Sequence, residues 1–197
     1  TFSTTLESEV YLFNGESLHA EDGVKANRPE VTTSAQFENR LTGTNGEVRF
    51  FTKQQGAYSE ITRHGAKPSE YYWTVKDASG NTFYYGADEN GRKADAIFAE
   101  NATSPGARWY LSKVVDRFGN NILYSYTKSV NTSQNTILSD GLSMWLSKIE
   151  YTGYNATAGK YSLEFNTVDG RPDTRVSYST GIKELDDRQL NSISVKY

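Results

Sequence analysis

The strongest constraint on the fold is a short motif that occurs twice: an aromatic-led strand followed by an Asp-x-x-Gly-Asn turn. An Asp that opens a turn and a Gly near its end fit a type I turn followed by a left-handed residue. Each copy therefore predicts an antiparallel hairpin. The residues that define the copies are Trp73, Asp77 and Gly80 in the first, and Trp109, Asp116, Gly119 and Asn120 in the second.

The rest of the chain favours the same class of structure. About a third of the residues are Val, Ile, Thr or aromatic, which are the side chains that fit a pleated sheet. A third aromatic-led run begins at Trp145 and repeats the outline of the run at Trp109. We therefore predict a mainly β fold, with antiparallel hairpins in a curved sheet, a sandwich or a shell-like arrangement. At most one short helix is expected, and its best candidate is 92–100.

The whole chain, 1–197, is interpreted as a single β-rich fragment of a larger protein. It begins at Thr1 rather than Met, and the run 190–197 still alternates between apolar and polar residues where the sequence ends. The loop residues at 101–107 mark a possible internal boundary, and 129–140 are predicted to form a polar loop.

Charge and composition exclude several function classes. The formal net charge is −3 and no basic stretch stands out, so nucleic acid is not expected as a partner. There is no cysteine, which excludes disulfides, thiol catalysis and Cys-ligated zinc. No apolar run is long enough for a membrane-spanning helix.

Candidate catalytic and metal-binding residues are few. His19 and His64 do not have zinc-binding spacing, and the chain has no Gly-x-Ser-x-Gly elbow. The segment 88–91 resembles a calcium loop but departs from its residue order, so a plain turn is favoured. Four carboxylate pairs are interpreted as solvated surface rather than as a glycosidase pair. They are Glu7/Glu9, Glu21/Asp22, Asp88/Glu89 and Asp186/Asp187.

Four tyrosines of the first hairpin are possible ligand-facing aromatics, because rings on a sheet face can stack on sugars or peptides. They are Tyr71, Tyr72, Tyr84 and Tyr85. The competing interpretation is that one set of rings is core and the other covers cross-strand neighbours. The ligand-facing interpretation supports an alternative function, a carbohydrate- or protein-binding β-module of a bacterial surface adhesin.

The run 109–126, with its Trp-led strand, its Asp-x-x-Gly-Asn turn and its Tyr-x-Tyr ending at Tyr126, resembles a known family. It is similar to the SpvB-like region of bacterial insecticidal toxin complex B components, and to the wider Rhs/YD-repeat family. The resemblance implies a structural, non-catalytic shell segment of a large secreted or surface-associated bacterial toxin-like protein. We expect Trp73, Trp109 and Trp145 to be buried by the hairpins.

The resemblance also implies the partners. They would be other segments of the same large chain, and a C-terminal toxin cargo or a companion toxin-complex subunit. Some proteins with an SpvB-like region carry an ADP-ribosyltransferase, but the short spacing between Ser179 and Glu184 does not match that activity. We therefore expect no enzymatic activity, no cofactor and no metal.

Overall fold

The computed structural model describes residues 10–20, 47–52, 59–132 and 137–197. Nearly all regular structure in these residues is β. The strands are β1 Leu12–Phe13, β2 Glu16–Ala20, β3 Glu47–Thr52, β4 Ser59–His64, β5 Tyr72–Asp77, β6 Thr82–Tyr85, β7 Ala87–Asp88, β8 Gly91–Arg92, β9 Ile97–Phe98, β10 Arg108–Trp109, β11 Leu111–Val115, β12 Asn120–Val130, β13 Leu142–Tyr154, β14 Tyr161–Asp169, β15 Arg175–Ser177, β16 Glu184–Asp186 and β17 Arg188–Lys196.

The only helical turns in the described residues are two short 3₁₀ segments, Pro68–Glu70 and Ala94–Ala96. None of the helical segments described is long and apolar enough to cross a membrane.

One large sheet organises the molecule. Its neighbours run in the order β1-β2-β3-β4-β5-β6-β11-β12-β13-β14-β17, and β16 joins it by a parallel contact with β13. Every other pairing along this path is antiparallel. The mainly β fold with antiparallel hairpins is therefore confirmed.

Both predicted hairpins are present. In the first, β5 pairs with β6 around the turn at 77–81; in the second, β11 pairs with β12 around 116–120. Because β6 also pairs with β11, the two hairpins are neighbours in the same sheet. The predicted polar loop at 129–140 starts later than expected, since β12 continues to Val130.

The prediction of a helix at 92–100 is wrong. Arg92 lies in β8, a single 3₁₀ turn follows, and Ile97–Phe98 form β9, which pairs with β10. Four consecutive residues here, 96–99, are at most 2% exposed. An amphipathic helix buries one stripe rather than four successive residues, so tertiary packing overrides the helix propensity of this run.

The main core lies on one face of the sheet around β2 to β5. Its fully packed members are Tyr11, Leu18, Ala20, Phe50, Ile61, Tyr71, Trp73 and Val75. A cation lies among these rings: Arg63 is 0% exposed, and its guanidinium carbon is 4.2 Å from the centroid of the Tyr71 ring. The cation–π contact offsets part of the cost of burying that charge.

The three tryptophans have different environments. Trp73 is buried in the core, as predicted, and Trp109 is partly buried and packs against the core. Trp145 is partly buried, like Trp109, but it lies outside this core cluster. The Trp145 ring packs against the guanidinium of Arg188, whose central carbon lies 4.2 Å from the ring centroid.

Candidate functional site

The first Asp-x-x-Gly-Asn turn is held by the carboxylate of Asp77. Its Oδ1 accepts hydrogen bonds from the backbone N–H groups of Ser79 and Asn81, both at 2.9 Å. Its Oδ2 accepts a third from the Asn81 side-chain amide at 2.8 Å. Gly80 has a φ of +84°, the left-handed conformation that the sequence predicted.

The second turn repeats this arrangement. Asp116 Oδ1 accepts from the N–H groups of Phe118 at 2.8 Å and Asn120 at 2.9 Å, and Oδ2 accepts from the Asn120 amide at 2.7 Å. Gly119 has a φ of +89°. The two carboxylates therefore hold local turns, and their hydrogen bonds lower the pKa of both Asp77 and Asp116.

The candidate ligand-facing tyrosines divide between the two faces of the sheet. Tyr71 is 1% exposed and lies in the core, which removes it from the ligand-facing set. Tyr85 is partly buried and packs on the core, with its ring 5.9 Å from that of Phe13. Tyr72 and Tyr84 lie on the opposite face and are partly exposed. The core interpretation therefore holds for two of these four rings.

Tyr126 has a structural contact that fits its place in the second hairpin. Its hydroxyl donates a 2.8 Å hydrogen bond to the Leu111 carbonyl, and its ring lies 5.2 Å from that of Tyr110. Burial, reinforced by the neighbouring Tyr110, raises the pKa of Tyr126 to about 12.

A polar cluster that sequence reasoning missed lies on the face opposite the core. His64 Nδ1 is 3.0 Å from Glu47 Oε1, and His64 Nε2 is 2.8 Å from Thr74 Oγ1. The imidazole also stacks on the Tyr72 ring, with centroids 4.6 Å apart and planes 8° apart. The members come from β3, β4 and β5, and their strand register brings them together.

The order Thr, His, carboxylate is that of a hydrolase triad, but this cluster lacks the rest of such a site. Thr74 lies in mid-strand, and its ladder pairs β5 with β4 on one side and with β6 on the other. An acyl-transfer site needs two free N–H groups aimed at the developing oxyanion, and a strand paired on both sides does not present them. None of the cavities described below is lined by these three residues.

Two further sets of carboxylates are used in structural contacts. Asp88 accepts from the N–H of Asn90 at 2.8 Å, and Glu89 forms two contacts of 2.6 and 2.7 Å with Lys113 Nζ. The turn interpretation of 88–91 is consistent with these bonds. Asp186 pairs with Arg171, whereas Asp187 accepts from the hydroxyl of Ser143.

The pairs Glu7/Glu9 and Glu21/Asp22 lie outside the described residues. Within the described ranges no group of three or more His, Asp or Glu side chains is placed to hold a metal ion.

Three cavities open at the surface of the described residues. The largest of these three has a volume of about 770 Å³ and lies where β1 meets Trp109; its wall is mainly apolar and includes six aromatic side chains. The others are about 310 and 250 Å³. The one charged side chain in the wall of the large cavity, Arg108, forms an ion pair with Glu184. This cavity is therefore an apolar space without a free charged anchor.

Comparison with solved structures identifies the fold. The chain is similar to the N-terminal domain of the effector protein SpvB from Salmonella typhimurium strain LT2, with a TM-score of 0.64 and 16% identity over 92% of this chain and 67% of that one. It also resembles a chain of the TcdB2-TccC3-Cdc42 structure, with a TM-score of 0.63 and 13% identity. A chain of the Photorhabdus luminescens Tc holotoxin pore matches with a TM-score of 0.63 and 14% identity.

In the two toxin structures, 92% of this chain aligns with only 10% of the other chain. This chain therefore spans about a tenth of the length of those proteins. A search among curated protein sequences found no significant match.

The family comparison agrees with the structural one. The model of the family described as the Salmonella virulence plasmid 65 kDa B protein, SpvB, matches residues 6–169, which is most of the chain. That range includes both Asp-x-x-Gly-Asn hairpins and the strands β1 to β14. The chain belongs to the SpvB family.

Proposed function

We propose that this chain is a non-catalytic structural segment of a large secreted bacterial toxin-like protein, in which its sheet forms part of a shell. The observation that carries the proposal is the apolar edge of the sheet at β17. This strand pairs with β14 on one side, and no strand of the described residues pairs with its other side. Leu190, Ile193 and Val195 on it are 52%, 53% and 69% exposed.

An open edge with apolar side chains favours association with another strand or sheet. Soluble monomers usually protect such an edge with charge, with proline or with a covering element. In β17 the charged residues Arg188 and Lys196 are each engaged by an acid of β14, Asp169 and Glu164. Because these two charges are neutralised, the edge is suited to pairing with a neighbouring segment of the same large protein.

The solved structures that share this fold support the proposal that the chain is part of a toxin-like protein. They include an effector protein and two toxin assemblies. On the basis of this likeness, we propose that the partners of this chain are further Rhs-type segments and companion toxin-complex subunits. The adhesin alternative has weaker support, because Tyr71 lies in the core and Tyr85 packs on it.

The test uses the full-length parent protein with Val195→Lys in the edge strand. We expect this variant to lose the closed particle in electron microscopy and to expose the segments packed behind it to added protease. The matched control is Gln189→Lys, which places the same side chain at an exposed polar position of the same strand. Wild-type particles and wild-type protease protection in Val195→Lys would overturn the shell role.

A catalytic role is tested separately with Thr74→Val in the same parent protein. A structural segment predicts unchanged toxicity at equal levels of assembled particle. Loss of toxicity in particles that assemble normally would show that the Thr74 hydroxyl takes part in chemistry, and would overturn the non-catalytic assignment.

A further inference from the structure

The first strand of the large sheet, β1, has one open edge. Among the strands that the structure describes, β1 stands at the end of the order and pairs with β2 alone. Opposite residues of an antiparallel pair alternate between those that exchange main-chain hydrogen bonds and those that do not. The N–H of Leu18 donates to the Tyr11 carbonyl at 2.8 Å. The next pair, Leu12 with Ser17, is therefore of the second kind, and the N–H and C=O of Leu12 point away from β2.

The cavity of about 770 Å³ runs along this open edge. The five consecutive residues 10–14 line it, although their side chains alternate between the two faces of the strand. A cavity lined by both sets lies beside the strand rather than beneath one of its faces. The segment 106–110 forms the opposite wall, and the floor includes the core side chains of Ile61 and Trp73.

Ring contacts show that the gap is produced by the curl of the sheet. In the strand order β1 is first and β6 is sixth, yet the ring of Phe13 lies 5.9 Å from that of Tyr85. Tyr11, next to β1, has its ring 6.2 Å from that of Trp109. The sheet from β1 to β6 therefore curls until its first strand approaches its sixth. A strand added to β1 would lie in the space that this curl leaves open.

The groove beside β1 is apolar and holds no free charge. On the outer face of the edge, Val10 and Leu12 are 65% and 64% exposed. No residue from Val10 to Gly15 is charged, and the one charged side chain in the described wall, Arg108, is paired with Glu184. A charged side chain brought into this space would lose its water without gaining a counter-ion. Charge complementarity therefore favours an uncharged partner that is apolar on both faces.

We propose that the open edge of β1 binds an extended, uncharged peptide segment of another protein, which adds a strand to the sheet. The peptide main chain pairs with Leu12, and its alternate side chains enter the cavity on one face and cover Val10 on the other. Open strand edges are templates for such pairing. The site lies at the opposite end of the strand order from β17, so this inference does not depend on the shell role proposed above.

The test selects random heptapeptides from a phage-display library on the full 197-residue chain. We expect enriched sequences that are aliphatic or aromatic and carry no Asp, Glu, Lys or Arg at their central positions. One enriched peptide is then synthesised and methylated on a single backbone nitrogen at a time. Because strand addition uses every second N–H of the peptide, its affinity in calorimetry should fall about tenfold at alternate positions and stay unchanged between them.

Two variants of the chain locate the binding site. Leu12→Asp places a charge on the edge of β1 and should weaken the binding of the enriched peptide about tenfold or more. The matched control is Leu190→Asp, which changes an exposed leucine of the other edge strand, β17, and should keep the wild-type affinity. Circular dichroism checks that both variants fold, and the methylated peptides test the proposal without any change to the chain.

Several results would overturn the proposal. They are the absence of any enriched sequence, the enrichment of charged sequences, equal losses in Leu12→Asp and Leu190→Asp, and a peptide affinity that methylation does not change at any position. A dimer of the unliganded chain in sedimentation, abolished by Leu12→Asp, would assign the edge to a second copy of this chain instead.

Discussion

The indole N–H of Trp109 donates a 2.7 Å hydrogen bond to the main-chain carbonyl of Tyr71, a residue 38 positions earlier in the chain. Tyr71 directly precedes β5, and Trp109 ends β10 just before β11. The same indole packs edge-on against Trp73, with ring centroids 5.9 Å apart. Trp109 therefore connects the two hairpins through one polar and one apolar contact.

Separating these two contacts gives the first prediction. Trp109→Phe keeps an aromatic ring but loses the donor, and we expect it to lower the free energy of unfolding by about 1 kcal/mol. Trp109→Ala also leaves a cavity beside Trp73, and we expect a loss of about 3 kcal/mol. Urea denaturation followed by circular dichroism measures both values.

Trp145→Ala is the matched control, because Trp145 is half-buried outside the core under Arg188. Its cost should be smaller, about 1–2 kcal/mol, because the ring lies outside the core cluster and its loss leaves no cavity beside Trp73. Equal costs for Trp109→Ala and Trp145→Ala would contradict the assignment of Trp109 to the core.

The second prediction concerns the turn at Asp116. Asp116→Asn keeps one acceptor oxygen, but its amide nitrogen faces the Asn120 amide, so two donors meet and the hairpin should lose stability. Because hydrogen bonds hold the pKa of Asp116 below its usual range, the carboxylate stabilises the fold above its unfolded pKa. That contribution disappears as the pH falls through the lower, folded pKa.

Urea midpoints at neutral pH and near pH 3 test this prediction. The difference between the two urea midpoints should be smaller in Asp116→Asn, because the variant lacks one carboxylate whose ionisation makes the free energy of unfolding depend on pH. Glu100→Gln removes a carboxylate at an exposed position and should leave the difference as in the wild type. If both variants behave alike, the hydrogen bonds of the turn do not account for the coupling.

The two turns were predictable because all their determinants are local. Asp77 and Asn81 lie within five residues, and Gly80 supplies the left-handed conformation that the turn requires. The hairpins followed directly from these turns, as did the antiparallel class of the sheet. Tertiary contacts are not needed to recognise such a motif.

The wrong helix prediction and the missed polar cluster both depend on contacts between residues that are distant in the sequence. The order of helix-forming residues at 92–100 did not show that Ile97 and Phe98 would be buried at 0% exposure beneath other segments. The contact of His64 with Glu47 and Thr74 depends on the register of three strands. The Asp77 turn sets the register of β5 against β6 and not against β4, so no local signal in the described part of the chain places Thr74 near His64 or fixes the partner on β3.

The third prediction concerns Lys113, whose side chain is 8% exposed and whose ammonium is held by both oxygens of Glu89. Glu89→Gln leaves this largely buried charge with a neutral partner, and we expect a loss of about 1 kcal/mol, since Glu89 itself is half-exposed. Lys113→Met keeps the length of the side chain and removes the charge that needs a partner, so its cost should be smaller. Thermal unfolding at low and high salt compares the stabilities of the two variants. A larger loss of stability in Lys113→Met than in Glu89→Gln would contradict this reasoning.

The last prediction separates backbone strain from crowding at a glycine. Gly86 has a φ of +64°, and a Cβ there would lie 2.6 Å from Ile97 Cγ1 and 2.8 Å from Trp109 Cδ1. Gly181 has a similar φ of +78° but nothing within 4 Å of the same position.

Both alanine variants bear the cost of the left-handed conformation, about 1 kcal/mol. Gly86→Ala must also displace Ile97 or Trp109, which adds about 1–3 kcal/mol. Urea denaturation should therefore place Gly86→Ala well below Gly181→Ala in stability, and equal values would show that the 86–109 segment can shift to accept a methyl group.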